Sequence, residues 1–235
     1  MSRTDLRYAD FLSNNRGGNL FTYVVNQRIG AFFALQAHRA GLAPTVLTLI
    51  NLVFSLGAAV TIIAVAASAA DGEVTWWPIA IAAAVAWQIA YSLDCSDGQL
   101  ARAAGLSSPA GKRIDILCDV AAQGAFCAAV AAVAVAYSPD VPAWFIAAFA
   151  SLWMVNLVTS ILQTGESSGS IVTSKKLVFE LVKLVRDTGV IVLLVPIVLI
   201  VYPEGMVWLM ALFTVVNGLF LLASIAFTAK NALRT

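Results

Sequence analysis

Charge is what this sequence is short of. Of its 235 residues only 11% are charged, 14 Lys and Arg against 13 Asp and Glu, while 60% are hydrophobic. Soluble domains carry about a quarter charged residues, so this composition excludes a water-facing surface over most of the chain and points to the bilayer. Cysteine is scarce and odd in number: Cys95, Cys118 and Cys127 argue against a disulfide framework and read as small packing residues. The single histidine, His38, argues against a zinc site and reads as a surface or headgroup-facing residue. No short basic stretch precedes an apolar run at the N-terminus, so no signal peptide is expected. No internal repeat or second domain is visible. The net charge of +1 gives no sign of a nucleic-acid partner.

What is present is a set of long uncharged runs, at 42–70, 74–93, 120–139, 141–165, 188–203 and 205–229. About 20 apolar residues cross a hydrocarbon core of about 30 Å as a helix. Five runs suffice outright; the one starting at residue 188 is short and would borrow residues 177–186 as a cytosolic extension. The pattern predicts an all-α integral membrane protein with six transmembrane helices. The basic residues fall in the first 39 residues, at Arg102, Lys112 and Arg113, at Lys175, Lys176, Lys183 and Arg186, and at Lys230 and Arg234. The other connections carry only acids: Asp71 and Glu73, then Asp140, then Glu204. By the positive-inside rule the basic connections and both termini are cytosolic. The expected location is the cell (inner or plasma) membrane.

Residues 1–40 are expected to form a polar segment and a juxtamembrane helix, and residues 41–235 the transmembrane domain. The first 18 residues read as loosely ordered. From 19 to 39, Phe21, Val24, Val25, Ile29, Phe32 and Phe33 recur at helical spacing, predicting an amphipathic helix in the membrane interface. The alternative is a helix packed only against protein. Pro44 suits the first turn of the first span, and residues 165–173 read as a flexible cytosolic linker.

The scarce charge is concentrated at 94–119, DCSDGQLARAAGLSSPAGKRIDILCD. Asp94 and Asp97 end the second span on one helical face; Asp115 and Asp119 open the third on one face. A short connection between antiparallel helices would bring all four carboxylates together at the cytosolic membrane boundary. Four like charges there repel unless neutralised. A divalent ion with oxygen ligands does this, and two such ions can clamp the attacking and leaving oxygens of a displacement at phosphorus. Gly98, Ala101, Gly105, Ala110 and Gly111 clear space beside the acids, and Arg102 offers a planar fork for phosphate. A solvated loop of ordinary charges accounts for any one of these aspartates but not for the set. The chemistry favours a metal site serving a nucleotide or pyrophosphate.

The same segment resembles the signature of the CDP-alcohol phosphotransferase family, D-x2-D-G-x2-A-R-x8-G-x3-D-x3-D. Asp94, Asp97, Gly98, Ala101, Arg102, Gly111, Asp115 and Asp119 fill every specified position. The resemblance implies a metal-dependent phosphotransferase of phospholipid biosynthesis. It would move a substituted phosphate from a CDP-alcohol, commonly CDP-diacylglycerol, to a second alcohol and release CMP. It further implies that Asp94, Asp97, Asp115 and Asp119 hold one or two Mg²⁺ or Mn²⁺ ions, and that Asp119 is the catalytic base. Gly98, Ala101 and Gly111 would admit the cytidine nucleotide, with Arg102 near its phosphates. Thr48 closes a stretch, residues 44–48, similar to the family's Pro-Asn-x-x-Thr, with Thr45 standing in place of Asn. A homodimer is implied by resemblance alone.

Arg113, Lys176, Lys183 and Arg186 are candidates for an anionic acceptor such as inositol phosphate or glycerol phosphate. Read as positive-inside flanks, they would instead contact lipid headgroups. Asn156, Gln163 and Asn217 read as bonds between helices, and Gln123 as facing a partner helix or subunit. The competing class is a cation-coupled transporter, which would favour isolated acids near the midplane and paired broken helices. Aspartate-rich prenyltransferases would place their acidic motifs far apart.

Overall fold

In the computed structural model the described residues are 6–15, 21–163 and 186–233. Lys175, Lys176, Lys183 and the expected linker at 165–173 lie outside them. The described residues are helical, with no strand among them. α1 spans Tyr8–Ser13, where the sequence predicts loose order. Its start is held by the Arg7 amide donating to Asp10 Oδ2 at 2.7 Å, a cap of the orphan amide at a helix N-terminus. Phe11 is fully buried beside Leu47, Leu93 and Leu100, and burying a ring of this size contributes about 2 kcal/mol. That apolar anchor is what a polar-looking segment conceals.

The predicted juxtamembrane helix is present but not uniform. A π-turn, Thr22–Asn26, precedes α2, Gln27–Ala40. Thr22, Asn26, Gln27, Gly30, Ala31, Ala34 and Ala37 are buried, whereas Tyr23, Val24, Ile29 and Phe32 are exposed, Phe32 by 50%. Small and polar side chains thus face the protein, Phe33 and Leu35 pack partly against it, and Tyr23, Val24, Ile29 and Phe32 face outward.

Five longer helices and one shorter one follow. They are α3 (Pro44–Ala70), α4 (Trp76–Ala103), α5 (Pro109–Tyr137), α6 (Ala143–Gln163), α7 (Thr188–Val201) and α8 (Met206–Ala232). Four segments are long and apolar enough to span a bilayer: Pro44–Ala70, Trp76–Ala103, Pro109–Tyr137 and Pro203–Lys230. Ala143–Thr159 and Thr188–Val201 are apolar but shorter. Pro44 and Pro109 each occupy the first turn of their helix, where a missing N–H costs nothing.

α3 packs along α4 and α5, α2 and α7 lie against α4, and α6 pairs with α8. An aromatic column joins four helices. Trp87 meets Phe126 edge-on at 4.6 Å, Phe126 approaches Trp153 at 5.7 Å, and Trp153 stacks on Phe213 at 4.7 Å. Trp77, Trp144, Tyr202 and Trp208, by contrast, are exposed. All four sit at the bundle end remote from Asp94, as an interfacial aromatic belt does.

Candidate active site

The turn between α4 and α5 sets the site. Gly105 takes a left-handed φ of 66°, with the Leu106 amide reaching Ala101 O at 2.8 Å and its own amide reaching Arg102 O at 3.4 Å. This pair of bonds closes a helix C-terminus abruptly, and glycine adopts the required φ without strain. Ser108 then caps α5, its hydroxyl accepting from the Gly111 amide at 3.0 Å. The chain reverses within a few residues, and the acidic ends of α4 and α5 come side by side.

Asp94, Asp115 and Asp119 each offer a carboxylate oxygen, and these atoms lie within 4.8 Å of one another. Asp97 is turned toward α3 instead: Thr48 donates its hydroxyl hydrogen to Asp97 Oδ2. One turn along α3, Asn51 Nδ2 donates to Asp94 Oδ1 at 3.2 Å, and Ser55 donates to Asn51 Oδ1 at 3.1 Å. Thr48, Asn51 and Ser55 form a buried polar strip on one face of α3 and aim the α4 carboxylates. The sequence carried this signal as polar residues at spacings of three and four inside an apolar run, which only Thr48 was singled out to represent.

The small residues have specific neighbours. A Cβ on Gly98 would stand 2.8 Å from Arg102 Nη1, so the glycine makes room for the guanidinium. Arg102 Nε donates to the Asn14 carbonyl at 2.7 Å, and the Arg102 charge acts on Asp115. Ala101 and Gly111 are partly exposed, and Arg113 is exposed. The donor set is three carboxylates from two helices, all oxygen, which fits a hard divalent cation such as Mg²⁺ and suits neither zinc nor copper.

Arg186 is engaged by side chains of α6 and α8. Its guanidinium donates to Asn156 Oδ1 at 2.8 Å, Thr159 Oγ1 at 2.8 Å and Asn217 Oδ1 at 3.2 Å. It also stacks on Phe220, 3.5 Å from the ring centroid. Burial pushes it down to about 10, which leaves it charged at neutral pH. Asn156 and Asn217 therefore serve contacts between α6, α8 and this arginine. Gln123 accepts from Trp153 Nε1 at 3.1 Å, a bond between α5 and α6.

No curated protein sequence matches the chain. The sequence profile of one family, CDP-alcohol phosphatidyltransferase, matches residues 41–229. Members of that family use a divalent metal, in keeping with the clustered carboxylates. The match takes in α3 to α5 and the apolar helices after them, and the chain belongs to the CDP-alcohol phosphatidyltransferase family.

Proposed function

We propose that the chain transfers a phosphatidyl group from CDP-diacylglycerol to a small alcohol or phosphorylated polyol and releases CMP. The observation that carries this is the meeting of Asp94, Asp115 and Asp119 within 4.8 Å, at positions of the family's motif. Asp97, oriented by Thr48, completes the acidic wall. A divalent cation held by these carboxylates, Mg²⁺ or Mn²⁺ and one or two in number, would supply neutralisation of the donor pyrophosphate and of the departing CMP. The acceptor hydroxyl oxygen attacks the phosphatidyl phosphorus, the bond from phosphorus to CMP breaks, and its electron pair leaves with CMP. Asp119 takes the hydroxyl proton. Arg102, held by Asn14 O, faces the phosphates, and Gly98, Ala101 and Gly111 leave room for the cytidine. Thr48 borders the nucleotide through Asp97.

The family and the four long apolar helices make this a multi-pass membrane protein. We read six spans, with α6 and α7 completing the bundle and the basic ends cytosolic, so that acyl chains stay in the leaflet while the cytidine reaches the acidic cleft. The residues up to 40 serve as an interfacial segment and the rest as the catalytic domain. A homodimer is part of the same reading, and Arg113, Lys176 and Lys183 remain its candidates for an anionic acceptor. A transporter would need isolated midplane acids; the aspartates instead gather where α4 ends and α5 begins.

The test is CMP release by purified protein in nanodiscs supplied with CDP-diacylglycerol and Mg²⁺. Glycerol 3-phosphate, inositol phosphate, inositol, serine and choline are offered in turn. Acceptor-dependent CMP release that a chelator stops supports the assignment; silence with every acceptor overturns it.

A further inference from the structure

α1 lies outside the residues that match the family, 41–229, yet it touches the family's motif at one point. Phe11 is buried where three helices meet, with Leu47 on α3, Leu93 and Leu100 on α4, and the His38 ring of α2 5.7 Å away. Tyr8 adds a second tie, its hydroxyl donating to the Arg28 carbonyl of α2 at 3.1 Å. So anchored, the helix ends at Asn14, whose amide donates to Phe11 O at 3.1 Å and whose side chain donates to Asp10 O at 2.8 Å. The Asn15 amide donates to Leu12 O at 3.3 Å. That amide shares a planar peptide with the Asn14 carbonyl, so the direction of the carbonyl is set.

Arg102 Nε donates to that carbonyl at 2.7 Å, from 88 residues along the chain. The same guanidinium lies over Gly98, where a Cβ would stand 2.8 Å from Nη1 and 3.2 Å from Nη2. A guanidinium is a rigid planar fork, and a bond to Nε above a floor that glycine leaves clear sets its plane. The carbonyl does not require the arginine. Ser13 is exposed and Asn14 half-buried, so water would serve as its donor equally well. The effect of the bond therefore falls on Arg102, the one cation among the eight motif positions, whose charge reaches Asp115.

We propose that α1 is a positioning element of the donor site: Phe11 holds the helix down, and the Asn14 carbonyl aims Arg102 at the donor pyrophosphate. The proposal rests on the phosphatidyl-transfer reading above. A planar fork makes its parallel bonds to phosphate only when its plane is right. A guanidinium released by α1 keeps its charge but loses its direction. Donor affinity then falls, while the carboxylates that hold the metal and the step at phosphorus are left as they were. Phe11 and Asn14 are positioning residues that act through Arg102.

The experiment measures Mg²⁺-dependent binding of CDP-diacylglycerol to purified protein in nanodiscs, with KM and kcat wherever CMP is released. Phe11→Ala is expected to weaken donor binding about fivefold, the worth of one hydrogen bond. Asp10→Ala, which removes the cap from the start of α1, acts in the same direction, and Phe11→Leu stays near wild type. KM for the donor rises with kcat unchanged, the pattern of lost uniform binding. Arg102→Gln weakens donor binding by itself, and Phe11→Ala added to it causes no further loss, as for two residues acting through one contact. Equal losses from Phe11→Ala in the wild type and in Arg102→Gln overturn the proposal, and so does unaltered donor binding in Phe11→Ala. Should Phe11→Ala fail to fold, Asp10→Ala carries the same comparison. A wild type that binds the donor but releases no CMP with any acceptor overturns the transfer reading and leaves the coupling of α1 to Arg102 to be decided by binding alone. A wild type that does not bind the donor overturns both.

Discussion

Asn51 on α3 donates to Asp94 on α4 across 3.2 Å, and it does so from a buried position inside a largely apolar helix. The bond steadies the Asp94 carboxylate, one of the proposed cation ligands. Outer partners of this kind are worth about 10–100-fold in metal affinity or activity. Asn51→Leu should therefore raise the Mg²⁺ concentration needed for half-maximal CMP release by about tenfold or more. A titration of CMP release against Mg²⁺ checks this; an unchanged midpoint would mean that Asp94 is oriented without Asn51.

Asp119→Asn should abolish transfer without unfolding the protein. Losing one of several crowded like charges relieves repulsion in the metal-free state, so its melting temperature without Mg²⁺ should match or exceed that of the wild type. The rise in melting temperature that Mg²⁺ gives the wild type by binding the folded state should be reduced or lost. Thermal melts with and without Mg²⁺ separate the two effects, and near-normal turnover in this variant would remove Asp119 from the role of base.

Gly98→Ala places a methyl 2.8 Å from Arg102 Nη1. The guanidinium is the end of a flexible side chain, so it yields and the fold survives. The cost falls on donor binding, because a planar fork must keep its direction to meet phosphate. KM for CDP-diacylglycerol should rise about fivefold with little change in melting temperature. Initial rates across donor concentrations decide it.

Arg186→Met should act on stability first. It strips a charged donor from Asn156, Thr159 and Asn217 at once, and the lost charge-assisted hydrogen bonds cost about 2 kcal/mol. Arg186→Lys should not restore the loss, since an ammonium cannot reproduce the three-way fork over the Phe220 ring. Denaturation in detergent measures this. A variant that melts normally but binds a phosphorylated acceptor weakly would return Arg186 to the acceptor pocket.

The helical, membrane-spanning character was legible because apolar length and charge scarcity are properties of composition. The motif was legible because its eight identities sit in one short segment whose helices must be neighbours. Asn51 and Ser55 were not singled out: Asn51 meets Asp94 43 residues away, Ser55 acts through Asn51, and three polar side chains in a long apolar run read as tolerated exceptions until the facing helix is known. The order of α1 was missed for a related reason, since Phe11 has value only against Leu100 and Leu93. The π-turn eluded periodicity because its polar residues, Thr22 and Asn26, face the protein while Val24 faces outward.

The exposed ring of Trp77, Trp144, Tyr202 and Trp208 and the outward apolar face of α2 grip opposite ends of the bundle. From Trp76, where α4 begins, Asp94 lies eighteen residues on, about 27 Å along the axis. That is close to the thickness of a hydrocarbon core, about 30 Å. Thicker bilayers would draw the carboxylates below the headgroups, and thinner ones would lift them into water unless the helices tilt. Acyl-chain length in the host membrane is therefore a variable of the chemistry itself, setting whether the acidic cleft and the pyrophosphate meet at the same depth.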